Sequence, residues 1–294
     1  PLKDRHFLPL APTPFYQREK SLGPDLDPPE STALFYPGCL IDYVFPHIGE
    51  AVIKVLAHHR IRVVWPETPV CCGMPALAAG DMETAAKLML MNLEQFRHHT
   101  FDHLITACPT CAHTLKTLWP KLLDPKGDQA GSGLKDLGEK TLDIAQYIAP
   151  RIAGRAKEET PAPAPDLITY HDPCHLKTSL GVSSEPRALI SANPRFRLVE
   201  MNNADGCCGM GGSFGIEHYD LSNRIGRVKL ENVLATNAKA VATGCPACMM
   251  QLAHLLSRAG SGILVKHPVE LYAESLDPGP SVMDRGPGAT PTPH

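Results

Sequence analysis

Short apolar runs alternate with amphipathic stretches along most of the chain, and the same order of elements is written twice. In the first pass, ALFYPGC (Ala33–Cys39) reads as a short apolar strand. A helix follows over Ile48–His58, with Ala51, Val52, Val55 and Leu56 sharing one face. Ile61–Trp65 reads as a second strand. A long helix then runs from Asp81, whose side chain suits an N-cap, to about His98. His103–Ala107 makes a third strand, and a helix continues through Cys111 toward Trp119.

In the second pass the strands are Leu167–His171, Arg197–Met201 and Ala240–Thr243. Helices are predicted over Glu185–Ser191, Asp220–Thr236 and from Cys245 to about Ser257. A last strand, Ile263–Lys266, and a helix, Val269–Leu276, close the pattern. Strands this short and apolar, alternating with helices, belong to parallel sheets covered on both faces. The predicted fold class is therefore α/β, with two pseudo-repeated Rossmann-like domains, each with its own modest core. The first spans residues 31–155 and the second 166–276. A proline-rich irregular arm (residues 1–30), a charged and then Pro/Ala linker (156–165) and a disordered tail (277–294) complete the expected organisation.

The repeat carries chemistry. Cys39, the pair Cys71–Cys72 and the C-x-x-C motif Cys108/Cys111 form one set; Cys174, Cys207–Cys208 and Cys245/Cys248 form another. Gaps of 31 and 35 residues in the first half match 32 and 36 in the second, and none of the ten cysteines is left over. Each group follows a predicted strand. In open parallel sheets ligands gather at the carboxyl ends of strands, so distant thiols should converge there. Many regularly placed thiolates suit iron in a sulfide cluster.

Other uses of these thiols fit less well. A disulfide framework conflicts with the lack of a secretory leader, and adjacent cysteines could be bridged only in a strained ring. Zinc takes four ligands where each half supplies five. Thioredoxin-like dithiols would not be coupled to distant cysteine pairs. Gly38, Gly73, Gly209, Gly211, Gly212 and Gly215 crowd the cysteines. Gly73 and Gly209 are predicted to bring backbone to the cofactor, as glycine allows. The run after Cys208 lacks the lysine and spacing of a nucleotide loop.

Prolines beside Cys108, Cys174 and Cys245 stiffen the ligand loops or start helices. His171 and His175 flank Cys174, and His113 follows Cys111. Each could donate a proton, ligate a cluster, or simply cap a turn and donate a supporting hydrogen bond. Lys177, Arg187 and Glu217 read as surface groups, and Met249–Met250 with Leu252 and Leu255 as an apolar helix face.

Net charge of −3 and a pI near 6.6 give no basic field for nucleic acid. The longest apolar runs fall short of the ~20 residues that span a bilayer. With neither leader nor anchor in view, the expected location is cytoplasmic, with any attachment to the inner membrane made through partners. The start at Pro1 raises the expectation of processing, or of a longer product carrying a preceding domain.

The doubled arrangement Cys, Cys-Cys-Gly, Cys-x-x-Cys resembles the cysteine-rich CCG domain found in heterodisulfide reductase and its relatives, over roughly Ala33 to Leu276. YHDPCH, CCGMGGSFG and KHPVELYAESL are most similar to members linked to dehydrogenases of glycerol-3-phosphate, glycolate and lactate. RHFLPLAPTPF resembles the connector that follows a two-cluster ferredoxin domain in those proteins. The resemblance implies two 4Fe–4S-type clusters, cubane or non-cubane, one on Cys39, Cys71, Cys72, Cys108 and Cys111. The other would use Cys174, Cys207, Cys208, Cys245 and Cys248. It further implies an electron-transfer subunit of a flavin-linked dehydrogenase, passing electrons toward quinone or another carrier. The implied partners are a flavoprotein subunit, a ferredoxin-type domain or subunit and a quinone-reactive membrane protein. The competing implication is a catalytic disulfide reductase with a non-cubane cluster, because neither half has lost a ligand.

Overall fold

The computed structural model describes residues 5–18, 28–123, 131–153 and 165–276. Each half holds a four-stranded parallel sheet. The first contains β1 (Ser31–Phe35), β2 (Ile61–Val64), β3 (His103–Thr106) and β4 (Thr141–Asp143), in the order β2-β1-β3-β4. The second contains β5 (Asp166–Tyr170), β6 (Phe196–Leu198), β7 (Ala240–Ala242) and β8 (Leu264–Lys266), in the order β6-β5-β7-β8. Leu34 pairs with Val64 on one side and Leu104 on the other; Ile168 pairs with Leu198 and Ala240 in the same way. Ala33, Leu34 and Phe35 are all buried, so β1 is apolar at successive positions because both faces are covered.

This strand order positions the chemistry. The chain moves outward from β1 to β2 and then crosses back to β3 on the opposite side. The reversal opens a crevice at the carboxyl ends of β1 and β3. Cys39 and Cys108 follow those two strands, and Cys174 and Cys245 follow their counterparts β5 and β7.

Several expectations are refined. The first strand stops at Phe35, and Cys39 lies on a short helix, Gly38–Tyr43, rather than on strand. The helix expected from Cys111 to Trp119 is a helix Pro109–His113, a wider π-helical turn Thr114–Leu118 and a helix Trp119–Leu123. A second π-helical turn, His175–Ser179, follows Cys174, and such turns often occur at functional sites. The first half also contains β4 and the helices Gly131–Lys140 and Ile144–Ile152, which the sequence pattern does not suggest.

The halves do not keep separate main cores. Helix Pro46–His58 of the first half packs on helix Pro268–Glu274 of the second, and helix Ser184–Ser191 packs on Ile144–Ile152. The most populous apolar cluster draws on both, including Val52, Val55, Ile148, Leu189, Val269 and Tyr272. His59 Nε2 bonds to the Tyr272 hydroxyl at 2.9 Å, and Lys54 Nζ donates to the Ala273 carbonyl at 2.5 Å. The arm takes part as well. Phe15, at the head of helix Phe15–Arg18, is buried in this cluster against Gly49, where a Cβ would come within 2.3 Å of its ring. Arg5 reaches the second half, donating to the Gly215 carbonyl and Gln251 Oε1, both at 2.9 Å. Residues 5–18 therefore bind both halves. The expected linker, apart from Pro165, and the expected tail lie outside the described residues.

Candidate metal centres

In the first half, loops after β1, β2 and β3 bring together all five cysteines predicted from the repeat. Cys72, Cys108 and Cys111 are buried, Cys71 is half-buried and Cys39 is exposed at the mouth. The thiols form one hydrogen-bonded run in the order Cys39, Cys71, Cys72, Cys111, Cys108. Gly38 makes room for it: at φ +71° its missing Cβ would sit 2.8 Å from Cys111 Sγ. Backbone N–H groups of Gly73 and Cys72 donate to Cys71.

In the second half the run is shorter, joining Cys207, Cys208, Cys248 and Cys245. Cys208 and Cys248 Sγ atoms are 3.3 Å apart, and Gly209 N–H donates to Cys207 Sγ at 3.3 Å. Cys174 stands outside that run, exposed, its thiol pushed up by burial of the sulfur and by the nearby Cys245 and Cys208 charges. His171 takes a place of its own: one ring nitrogen lies within 4.8 Å of both Cys208 and Cys248 Sγ.

Gly73 (φ +92°) and Gly209 (φ +90°) occupy equivalent left-handed positions. A Cβ on Gly209 would come within 2.4 Å of the Ser222 carbonyl oxygen; on Gly73 it would come within 3.3 Å of that of Ala85. These glycines let each Cys-Cys turn lie directly on a helix backbone.

The electrostatics show what such a site accepts. Cys71, accepting from Cys39 and then Cys72, is pushed far below the usual thiol range. Cys39, which donates to Cys71, and Cys111, hydrogen-bonded to Cys108 and Cys72, are pushed up. The second half repeats this, with Cys208 pushed down by Cys207 and Cys248, while both of those thiols are pushed up. Once one thiol ionises, its neighbours resist. Five thiolates can coexist here only around strongly positive charge, which an iron–sulfur core brings. The donor set therefore fits such a cluster.

The remaining predicted residues divide. His113 and His175 stack at 5.3 Å with planes 17° apart, on the seam between the halves. Thr110, between Cys108 and Cys111, lies 2.9 Å from His175 Nδ1 and 4.0 Å from Cys245 Sγ, so the two cysteine sites adjoin. Lys177 is a surface group, paired with Asp205 at 2.8 Å, and Glu217 is exposed. Arg187 is not a plain surface group. It holds buried Asp172 at 2.8 Å and Glu200 at 2.6 Å and lies over the Tyr170 ring, bracing the loop before Cys174. Met249, Leu252 and Leu255 are buried as expected of an apolar face, and Met250 is partly buried against the shared core.

Three supporting residues escape sequence reasoning. Asn92 donates to the Cys71 carbonyl at 3.1 Å and accepts from Val70 N at 3.3 Å. Trp119 Nε1 donates to the Cys72 carbonyl at 3.0 Å. Lys229 is the counterpart of Asn92: its buried Nζ donates to the Asn203 and Ala204 carbonyls at 2.5 and 3.0 Å, pinning the loop before Cys207. A signal for Lys229 exists, since it interrupts the buried stripe Ser222, Gly226, Val233 of its helix.

The profile of the CCG cysteine-rich domain matches residues 33–116 and 168–253, one copy per half. The chain belongs to this family. It is 33% identical over 234 residues to a fumarate reductase (CoM/CoB) subunit of Methanothermobacter marburgensis, covering 80% of this chain and 44% of that protein. An uncharacterized iron-sulfur protein of Methanocaldococcus jannaschii is 32% identical over 237 residues, again covering 80% and 44%. Lactate utilization protein A of a Geobacillus species is 30% identical over 234 residues, covering 79% of this chain and 95% of that one. The chain thus spans less than half the length of the methanogen relatives and nearly all of the Geobacillus protein. With the cysteine geometry, these similarities make it an iron–sulfur redox protein. No helix among the described residues is long and apolar enough to cross a membrane.

Proposed function

We propose that the chain is the iron–sulfur electron-transfer subunit of a flavin-linked dehydrogenase complex of the lactate, glycolate or glycerol-3-phosphate type. It would hold two 4Fe–4S-type clusters, one on each set of five cysteines, and pass electrons from a flavoprotein toward quinone or another carrier. The observation that carries this reading is the adjacency of the sites. Thr110, inside one C-x-x-C motif, lies 4.0 Å from Cys245 Sγ of the other. Two neighbouring one-electron centres suit a protein that relays electrons. The near-complete span of lactate utilization protein A supports the dehydrogenase class.

When bound, each cluster supplies one-electron chemistry; the chain's own groups bind, orient and exclude water. Trp119 stacks on Phe96 at 6.1 Å, and buried Tyr36 packs edge-on against Phe96, closing the inner side of the first site. Backbone N–H groups at Gly73 and Gly209 aim at cysteine sulfur and stabilise negative charge there. A ferredoxin-type domain or subunit and a membrane quinone-reactive protein are the other proposed partners.

A second reading, a disulfide reductase with a non-cubane cluster, draws on two observations. All five cysteines are retained in both halves, and Cys174 and Cys207 are exposed at one site. One anaerobic experiment separates the readings. The carrier reduces its clusters when mixed with the flavoprotein and its hydroxy acid, and does not turn over disulfides. Turnover of a disulfide by the isolated chain with reduced viologen dye would overturn the carrier in favour of the reductase.

A further inference from the structure

The geometry points to His171 as a nitrogen ligand of the second cluster, which makes the two sites chemically unequal. The inference rests on the two-cluster reading above and changes its ligand set at one place, His171 standing in for Cys174.

The sites look duplicated, yet the position after the buried tyrosine differs. Pro37 follows Tyr36 in the first half, whereas His171 follows Tyr170 in the second. His171 is 1% exposed. Its Nδ1 lies 3.1 Å from the Ala204 carbonyl oxygen, which can only accept, so Nδ1 carries a proton and donates. The same carbonyl is held by Lys229 Nζ at 3.0 Å and by Asp172 N–H at 3.0 Å, which fixes the ring's anchor. In the neutral ring Nε2 then has a bare lone pair. That atom is buried, and the partner within its reach is the Cys208 thiol, to which the ring is hydrogen-bonded. As an ionised cluster ligand Cys208 could no longer donate to that lone pair, and a buried nitrogen lone pair with no partner is costly unless something binds it. With Nδ1 committed to Ala204, Nε2 is the nitrogen left to face Cys208 and Cys248. A carbonyl-anchored imidazole is the usual arrangement of a metal-binding histidine.

Cys174 complements this. Cys39 and Cys174 are both exposed, but Cys39 joins the run of hydrogen-bonded thiols in its half whereas Cys174 stands outside its own. His171 supplies the inner contact that Cys174 does not. An imidazole brings no negative charge where a thiolate brings one, so the second cluster accepts an electron more readily than the first.

The test uses anaerobically purified, cluster-loaded protein carrying nitrogen-15-labelled histidine, studied by electron–nuclear double resonance. The expected result is a nitrogen coupling of directly bonded strength that disappears in His171→Gln and persists in His175→Ala and His113→Ala. Should His171→Gln fail to load its cluster, His171→Cys, which keeps a ligand at that position, should load it and lose the coupling. Independently, His171→Cys should lower the higher of the two midpoint potentials. Two intact clusters by iron and sulfide count with no strongly coupled histidine nitrogen would overturn the inference alone. A coupling that survives His171→Gln would do the same. Absence of iron would remove the two-cluster reading and the inference with it.

Discussion

Alanine at Gly38 tests how tightly the first site is built. The added Cβ would stand 2.8 Å from Cys111 Sγ. Packed carbon contacts settle near ~3.5–4.0 Å, so Cys111 must retreat by roughly 0.7 Å or more. Functional constellations tolerate ~0.5 Å, so this displacement is large enough to spoil ligation. The substitution also places a side chain at φ +71°, which costs about 1–2 kcal/mol. Gly181 separates the two effects. Its φ is +70°, and a Cβ there would meet nothing within 4 Å. Gly181→Ala should therefore lose about 1–2 kcal/mol, a melting shift of ~2–8 °C, with its iron retained. Gly38→Ala should show that loss and also give up iron from the first site, while the second site's spectrum is unchanged. The assay is iron per chain with spectra of both variants. Equal and full iron in the two would refute the idea that Gly38 makes room for a ligand.

Three further outcomes follow from the same geometry. Burial drives the His267 pKa down to about 4 from 6.5, and its neutral ring both caps helix Pro268–Glu274 and bonds Gly244 O. The unfolded chain therefore takes the proton first, and stability falls as pH drops from ~6.5 toward ~4, by on the order of 3 kcal/mol. Urea midpoints against pH should show this slope, reduced in His267→Asn. Lys229→Met should cost about 1–3 kcal/mol in the urea midpoint, because the Asn203 and Ala204 carbonyls each lose a charged donor. Finally, Cys39→Ser should disturb the first site's spectrum more than Cys174→Ser disturbs the second's, since Cys39 lies within its run of thiols and Cys174 outside.

The cysteines were legible because their spacing repeats, and because strand ends in parallel sheets define where ligands gather. Asp81 was legible for a local reason: its side chain accepts from Thr84 N at 2.9 Å, as an N-cap should. β4 escaped because it is three residues long and follows a glycine-rich stretch. Asp143, which caps the next helix by accepting from Ala145 N at 2.8 Å, was the clue available. The shared core escaped for another reason. Periodicity marks Val52 and Val55 as buried without saying that Val269 and Tyr272, from the other half, bury them. Arg187 looked like solvent-facing charge because its partners, Asp172 and Glu200, meet it only in three dimensions.

Iron and acid-labile sulfide, counted with EPR spectra on anaerobically purified protein, test the central claim most directly. Cys72→Ser and Cys208→Ser should accompany the unsubstituted chain. Two clusters require about eight irons per chain, with each variant perturbing the signal of its own half. About four irons, or spectra unmoved by either substitution, would contradict a cluster in each half.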